Sequence, residues 1–110
     1  MLKWKEKGQR RMSKIFQDIQ NYSKNRKISL INAIEKINWD TGYNPEEFLQ
    51  LLTTKEKNWA LTRMIAYMPY STVRRIVTKA FLKENISEEI ISHIYPISRQ
   101  NSVRLLYNRL

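Results

Sequence analysis

The chain has 110 residues, with 20 Lys+Arg against 10 Asp+Glu and a formal net charge of +10. That length corresponds to one domain with a small core, and a 42% hydrophobic content is too high for a disordered chain. Two glycines and three prolines argue against an all-β fold with its many tight turns, and the absence of cysteine excludes a disulfide scaffold, a thiolate zinc site and a cysteine nucleophile.

No stretch approaches the roughly 20 apolar residues that a membrane span needs. The first residues, Met1 to Lys7, carry no apolar core, so a signal peptide is not expected and the cytoplasm is the expected compartment. Ile, Lys, Asn and Tyr, whose codons are AT-rich, make up 39 of the 110 residues. That bias suggests an AT-rich source such as a low-GC bacterium, its phages or its plasmids.

The charge is unevenly spread. Residues 1–27 carry nine Lys/Arg and two Asp/Glu, and residues 58–84 carry five and one. The stretch between them, 28–57, is slightly acidic with three and five, and 85–110 is near balance with three and two. A surplus of +10 exceeds what solubility asks of a small domain, roughly 2–8 in magnitude. Two basic blocks of this kind match the electrostatic footprint of a protein that meets phosphate.

Residues 1–9 read as a flexible basic arm, in which Lys3, Lys5 and Lys7 alternate with Leu2, Trp4 and Glu6 before Gly8. A single helical domain over 10–110 follows. From Arg10 the period is helical, with Met12, Ile15, Phe16, Ile19 and Tyr22 on one stripe. The polar run Ser23 to Lys27 ends that first helix. Ser29 is positioned as the cap of a second, with Leu30, Ile31, Ile34 and Ile37 inside.

Asp40-Thr41-Gly42-Tyr43 reads as a helix stop and turn. Asn44-Pro45-Glu46-Glu47 is the clearest helix start in the chain. It has a capping residue, a proline at the first position, and two carboxylates facing the helix dipole. Phe48, Leu51 and Leu52 form the buried face of that helix. Thr53 to Glu56 has the spacing of a capping box. The helix it opens carries Trp59, Ala60, Leu61, Met64, Ile65 and Met68, and Pro69 ends it.

Ser71 caps the next predicted helix, continuous to Glu84, with Val73, Ile76, Val77, Ala80 and Phe81 on one face. Ser87 caps a short one with Glu88 and Glu89 in its first turn and Ile90, Ile91 and Ile94 inside. Ser98 caps the last, with Val103, Leu106 and Leu110 inward and Arg99, Arg104 and Arg109 outward. Nothing alternates with period 2. The expected architecture is all-α, a compact bundle of about six or seven short helices with a basic N-terminal arm.

Little in the chain suggests catalysis. His93 is the only histidine, and its helical neighbours Ile90, Ile94 and Ile97 predict a partly buried structural role. Glu46/Glu47 and Glu88/Glu89 are adjacent pairs, which point about 100° apart on a helix and do not converge on one metal or proton. There is no phosphate loop, glycine fingerprint or HExxH. An enzyme is not expected, nor a cofactor or a metal.

The segment from Trp59 to Lys83 reads as a helix, a short turn with Met68 and Pro69, and a helix opened by Ser71-Thr72. It resembles a helix-turn-helix DNA-binding motif over about residues 59–83. In that motif the second helix enters the major groove. The resemblance implies that Thr72, Arg74, Arg75, Thr78, Lys79 and Lys83 face duplex DNA. The chain departs from the motif at Arg63, where a small residue is usual, and at Tyr67, where glycine is.

The arm supplies a second set of candidates: Lys3, Lys5, Lys7, Arg10, Arg11 and Lys14, which could follow a phosphate backbone or a minor groove. Trp39, Trp59, Phe48 and Phe81 fall on apolar stripes and are expected in the core. Tyr43, Tyr67, Tyr70 and Tyr95 fall at turns, as packing or as part of a protein interface. The first reading is therefore a regulatory nucleic-acid-binding protein that favours duplex DNA, with a homodimer as one arrangement, and has no membrane partner. The alternative is an adaptor or inhibitor that binds an acidic surface of a host protein.

Overall fold

The computed structural model describes residues 15–110. Seven α-helices lie among the described residues, and no strand. They are α1 (Lys24–Ile37), α2 (Pro45–Gln50), α3 (Lys57–Tyr67), α4 (Tyr70–Ile76), α5 (Lys79–Asn85), α6 (Glu88–Ser92) and α7 (Ile97–Tyr107). Two 3₁₀ turns accompany them, Ile19–Asn21 ahead of α1 and Leu51–Thr53 between α2 and α3. The architecture is all-α.

Helix α3 is the centre. It packs against α1, α4, α6 and the turn Leu51–Thr53. Its Ala60, Leu61, Met64 and Ile65 are completely buried, the i, i+1, i+4, i+5 pattern of one inward stripe. Around it close Leu30 and Ile34 of α1, Phe48 and Leu49 of α2, Val73 and Ile76 of α4, Leu82 of α5 and Val103 of α7. Each large aliphatic side chain taken out of water there contributes about 1.5–3 kcal/mol.

Local capping chemistry explains several helix starts. Asn44 Oδ1 accepts from Glu47 N at 2.8 Å while Asn44 N donates to Glu47 Oε1 at 2.9 Å, so two orphan donors are satisfied reciprocally. Ser87 Oγ accepts from Ile90 N at 3.3 Å to open α6. Between α1 and α2, Asn38 is buried yet satisfied. Its amide donates to the Tyr43 carbonyl at 2.6 Å, and its side-chain oxygen accepts from the Thr41 hydroxyl. Gly42 turns that loop with φ of 79°, in the left-handed region that favours glycine.

Several elements differ from the sequence reading. Helix α1 begins at Lys24, not after Ser29: Ser23 Oγ accepts from Arg26 N at 3.2 Å. The polar run Lys24 to Lys27 is thus the first turn of this helix rather than the end of the one before. No capping box forms from Thr53 to Glu56; instead the Thr54 hydroxyl accepts from Glu56 N at 3.1 Å. Helices α4 and α7 start directly after Pro69 and Pro96, so Ser71 and Ser98 lie within their first turns.

The expected first helix does not continue through Tyr22. Phe16 instead forms an isolated antiparallel bridge with Val77. Gln17 N donates to Ile76 O at 2.9 Å and Thr78 N donates to Ile15 O at 2.8 Å. This pairing coincides with the break in the helix expected over 71–84. Val77 and Thr78 are extended, and Thr78 then caps α5 by accepting from Phe81 N at 3.1 Å. Two β-branched residues favour the extended form locally, and the 15–17 segment binds the backbone groups that the break frees.

Five side chains also fall elsewhere than expected. Trp39 is 80% exposed and Trp59 43% exposed, whereas Phe48 and Phe81 are in the core as predicted. His93 is exposed. Leu106 is half-exposed, and α7 buries Val103 and Tyr107. Arg99 turns inward: its Nη2 donates to the Ile65 and Met68 carbonyls, each at 3.0 Å. That guanidinium satisfies orphan carbonyls at the end of α3.

Candidate functional site

Two surfaces carry chemistry. The first is basic and lies where the described chain begins. Tyr22 is its hinge point. The Tyr22 hydroxyl donates to the Arg75 carbonyl at 2.9 Å, across 53 residues of sequence. The Arg26 guanidinium carbon sits 5.2 Å from the Tyr22 ring centroid, within cation–π range. The start of α1, with Lys24, Arg26 and Lys27, is thereby held beside the last turn of α4.

Of the sequence candidates, Arg75, Lys79 and Lys83 are exposed. Lys79 and Lys83 are four apart on α5 and share one of its faces. Two ion pairs occur among the described residues, Arg63–Asp40 and Arg104–Glu88, and neither involves these three cations. Thr72 and Arg74 are half-buried, and Arg74 Nε is buried without a hydrogen-bond partner. Thr78 is half-buried and caps α5. The six candidates therefore divide between two helices and the extended step between them. Lys3, Lys5, Lys7, Arg10, Arg11 and Lys14 lie outside the described residues, as does the arm 1–9. The described chain begins at Ile15, whose carbonyl accepts from Thr78 N.

The second surface was not expected from the sequence. A recess of about 460 Å³ opens between α3 and α6. Helix α3 contributes Asn58, Trp59, Thr62, Arg63 and Tyr67 to it. Helix α6 contributes Glu89 and Ile90, with Ala66 of α3 opposite, and His93 and Tyr95 close it from the following turn. Trp59, Arg63 and Tyr67 stand at i, i+4 and i+8, a second stripe on α3 beside the buried one. That spacing was legible, but a tryptophan on a helical apolar pattern reads as core.

The recess is held from behind. Arg63 Nη2 donates to Asp40 Oδ1 at 2.6 Å, and its guanidinium carbon lies 5.3 Å from the Trp59 ring centroid. Phe48 meets Trp59 at 6.1 Å and 59°. The hydrogen bond from Arg63, reinforced by its charge, holds the exposed Asp40 carboxyl below its ordinary value of 3.8. On the other wall, His93 Nδ1 lies 2.7 Å from the Glu89 carbonyl oxygen. A carbonyl only accepts, so Nδ1 carries a proton, and in the neutral ring Nε2 is the acceptor.

Away from both surfaces, Tyr70 and Tyr107 make an edge-on contact at 5.0 Å that joins α4 to α7. Burial raises the Tyr107 phenol well above its ordinary value, and nearby Tyr70 adds to the shift. No group of three or more His, Cys, Asp or Glu side chains suited to a metal ion occurs among the described residues. No described helix is long and apolar enough to cross a membrane. No protein-family model matches the chain, and neither the curated proteins nor the solved structures compared with it give a match.

Proposed function

We propose that the chain is a small nucleic-acid-binding protein that docks on duplex DNA through the basic surface around the α4–α5 junction. The observation that carries this reading is the Tyr22 bridge. It joins two basic blocks that are far apart in sequence, through Arg26 stacked on its ring and Arg75 bonded to its hydroxyl. Exposed cations that form no ion pair among the described residues release counterions when they meet phosphate, which gives affinity without regard to sequence. Helix α4 has seven residues and spans roughly 10 Å. So short a helix reads few base edges, and a homodimer would supply a second half-site. The AT-rich codon bias favours a low-GC bacterium, its phages or its plasmids as the source, and the role we propose there is regulatory.

Fluorescence anisotropy with labelled duplex, across a salt series, tests the reading. Binding should weaken linearly on a log–log plot, with a slope of about 0.9 per phosphate contacted. Replacing Arg75, Lys79 and Lys83 together by alanine should lower affinity and flatten that slope by up to about 3. Undiminished binding by the triple variant removes this surface from the interface. Absence of duplex binding at low salt removes the function.

A further inference from the structure

We propose that the recess between α3 and α6 is a binding site for a single nucleobase, presented by a free nucleotide or by an unpaired position of a single strand. The proposal goes beyond the duplex reading, because no residue of the recess belongs to the basic surface. Its volume, about 460 Å³, lies within the range of small-ligand sites.

The first argument is the aromatic lining. Trp59, Tyr67 and Tyr95 are 43%, 67% and 78% exposed, and all three line one recess. Single exposed aromatics are ordinary, but three around one concavity form a stacking platform that the described residues leave open, only in part at Trp59. Every base has a π-face, so such platforms accept bases with little sequence preference. Arg63 extends the platform, since a guanidinium plane also stacks on bases. It is pinned between Asp40 and Trp59, at 2.6 Å and 5.3 Å, and loses little freedom on binding.

The second argument is the polar set. The Asn58 side chain, exposed at the recess, makes no hydrogen bond among the described residues, and a primary amide offers one donor and one acceptor edge. That pairing matches the edge of a base such as adenine. Thr62 Oγ1 donates to the Asn58 carbonyl at 2.6 Å and keeps its lone pairs. In the neutral ring His93 Nε2 is an acceptor, because Nδ1–H is spent on the Glu89 carbonyl. The Glu89 carboxylate is a further acceptor, suited to an exocyclic amino group.

These two properties together discriminate between occupants. An apolar side chain from a protein partner would cover the rings, but it would strip water from an amide, an imidazole and a carboxylate without replacing those hydrogen bonds. A base has flat faces for the rings and donors and acceptors on its edge for the polar groups.

Tryptophan fluorescence tests this in the full chain with Trp4→Phe and Trp39→Phe, so that Trp59 alone reports. The probes are the four nucleoside monophosphates, short single-stranded homopolymers, and ribose 5-phosphate as the base-free control. Quenching by bases and not by ribose 5-phosphate is expected. Tyr95→Ala and Asn58→Ala, both at exposed positions and checked for folding by circular dichroism, should weaken it. A stacking partner is worth roughly 5- to 150-fold in affinity.

Equal affinity for monophosphates and strands identifies a free nucleotide as the ligand, and markedly tighter binding of strands identifies an unpaired base. No quenching by any base overturns the proposal and leaves the recess to a protein side chain. Equal quenching by ribose 5-phosphate, or affinity unchanged in both variants, also overturns it. The duplex reading is judged separately. Tyr95→Ala should leave duplex binding unchanged, and a chain that fails on duplex while Trp59 still responds to bases overturns only that reading.

Discussion

The Tyr22 hydroxyl donates to the Arg75 carbonyl at 2.9 Å and ties the start of the described chain to the last turn of α4. That carbonyl is among the last four of its helix, which have no partner within it. Tyr22→Phe keeps the ring under Arg26 and removes only this bond. We expect a loss of about 0.5–1 kcal/mol by urea denaturation, at the low end for a hydrogen bond because the site is solvent-exposed. Duplex affinity should fall with it as the two basic segments lose their register, and anisotropy in low salt reads that change.

Arg99 should matter far more to folding than its place on a surface helix suggests. One nitrogen serves both the Ile65 and Met68 carbonyls. Arg99→Ala leaves two partly buried carbonyls at the end of α3 without a donor, and a cost of about 2–3 kcal/mol is expected from chemical denaturation. Arg109→Ala, an exposed change on the same segment, should lie within about 0.5 kcal/mol of the parent.

Gly42 gives a purely conformational test. Its φ is 79°, and a Cβ built there meets nothing within 4 Å. Gly42→Ala should therefore cost about 1–2 kcal/mol through backbone strain alone. Gly42→Asn should cost less, because asparagine tolerates the left-handed region. Equal losses in the two variants would point to something other than backbone angle.

The Asp40–Arg63 pair makes a pH prediction. The folded carboxyl is held below its ordinary value, chiefly by the hydrogen bond from Arg63. A group depressed in the folded state contributes stability above its unfolded pKa and loses it as pH falls through the folded one. Carboxyl NMR should show Asp40 titrating below 3.8 in the parent and returning toward that value in Arg63→Ala. The stabilisation from the pair should be complete at neutral pH and vanish only in strong acid.

How much was legible in the sequence follows from how local each signal is. The α2 and α6 starts were readable, because Asn44 and Ser87 bond to amides only three residues away. The all-α class was readable because hydrophobic spacing alone reports the helical period. The break at Val77-Thr78 was not, since its compensating partners, Ile15 and Gln17, lie about sixty residues upstream. The apolar stripe that made 71–84 look like one helix is satisfied equally well by two.

By itself, then, the sequence determined what depends on near neighbours: about six or seven short helices, their proline and asparagine boundaries, most of the core, and a basic surplus in two separate blocks. Only the tertiary structure decided which blocks meet, that Arg99 faces inward, and that Trp59 and His93 line a recess between α3 and α6. The physical reason is that a side chain's exposure depends on what packs over it. An aromatic on a helical stripe is core where another element covers it and a binding surface where none does, and helical period carries no information about which.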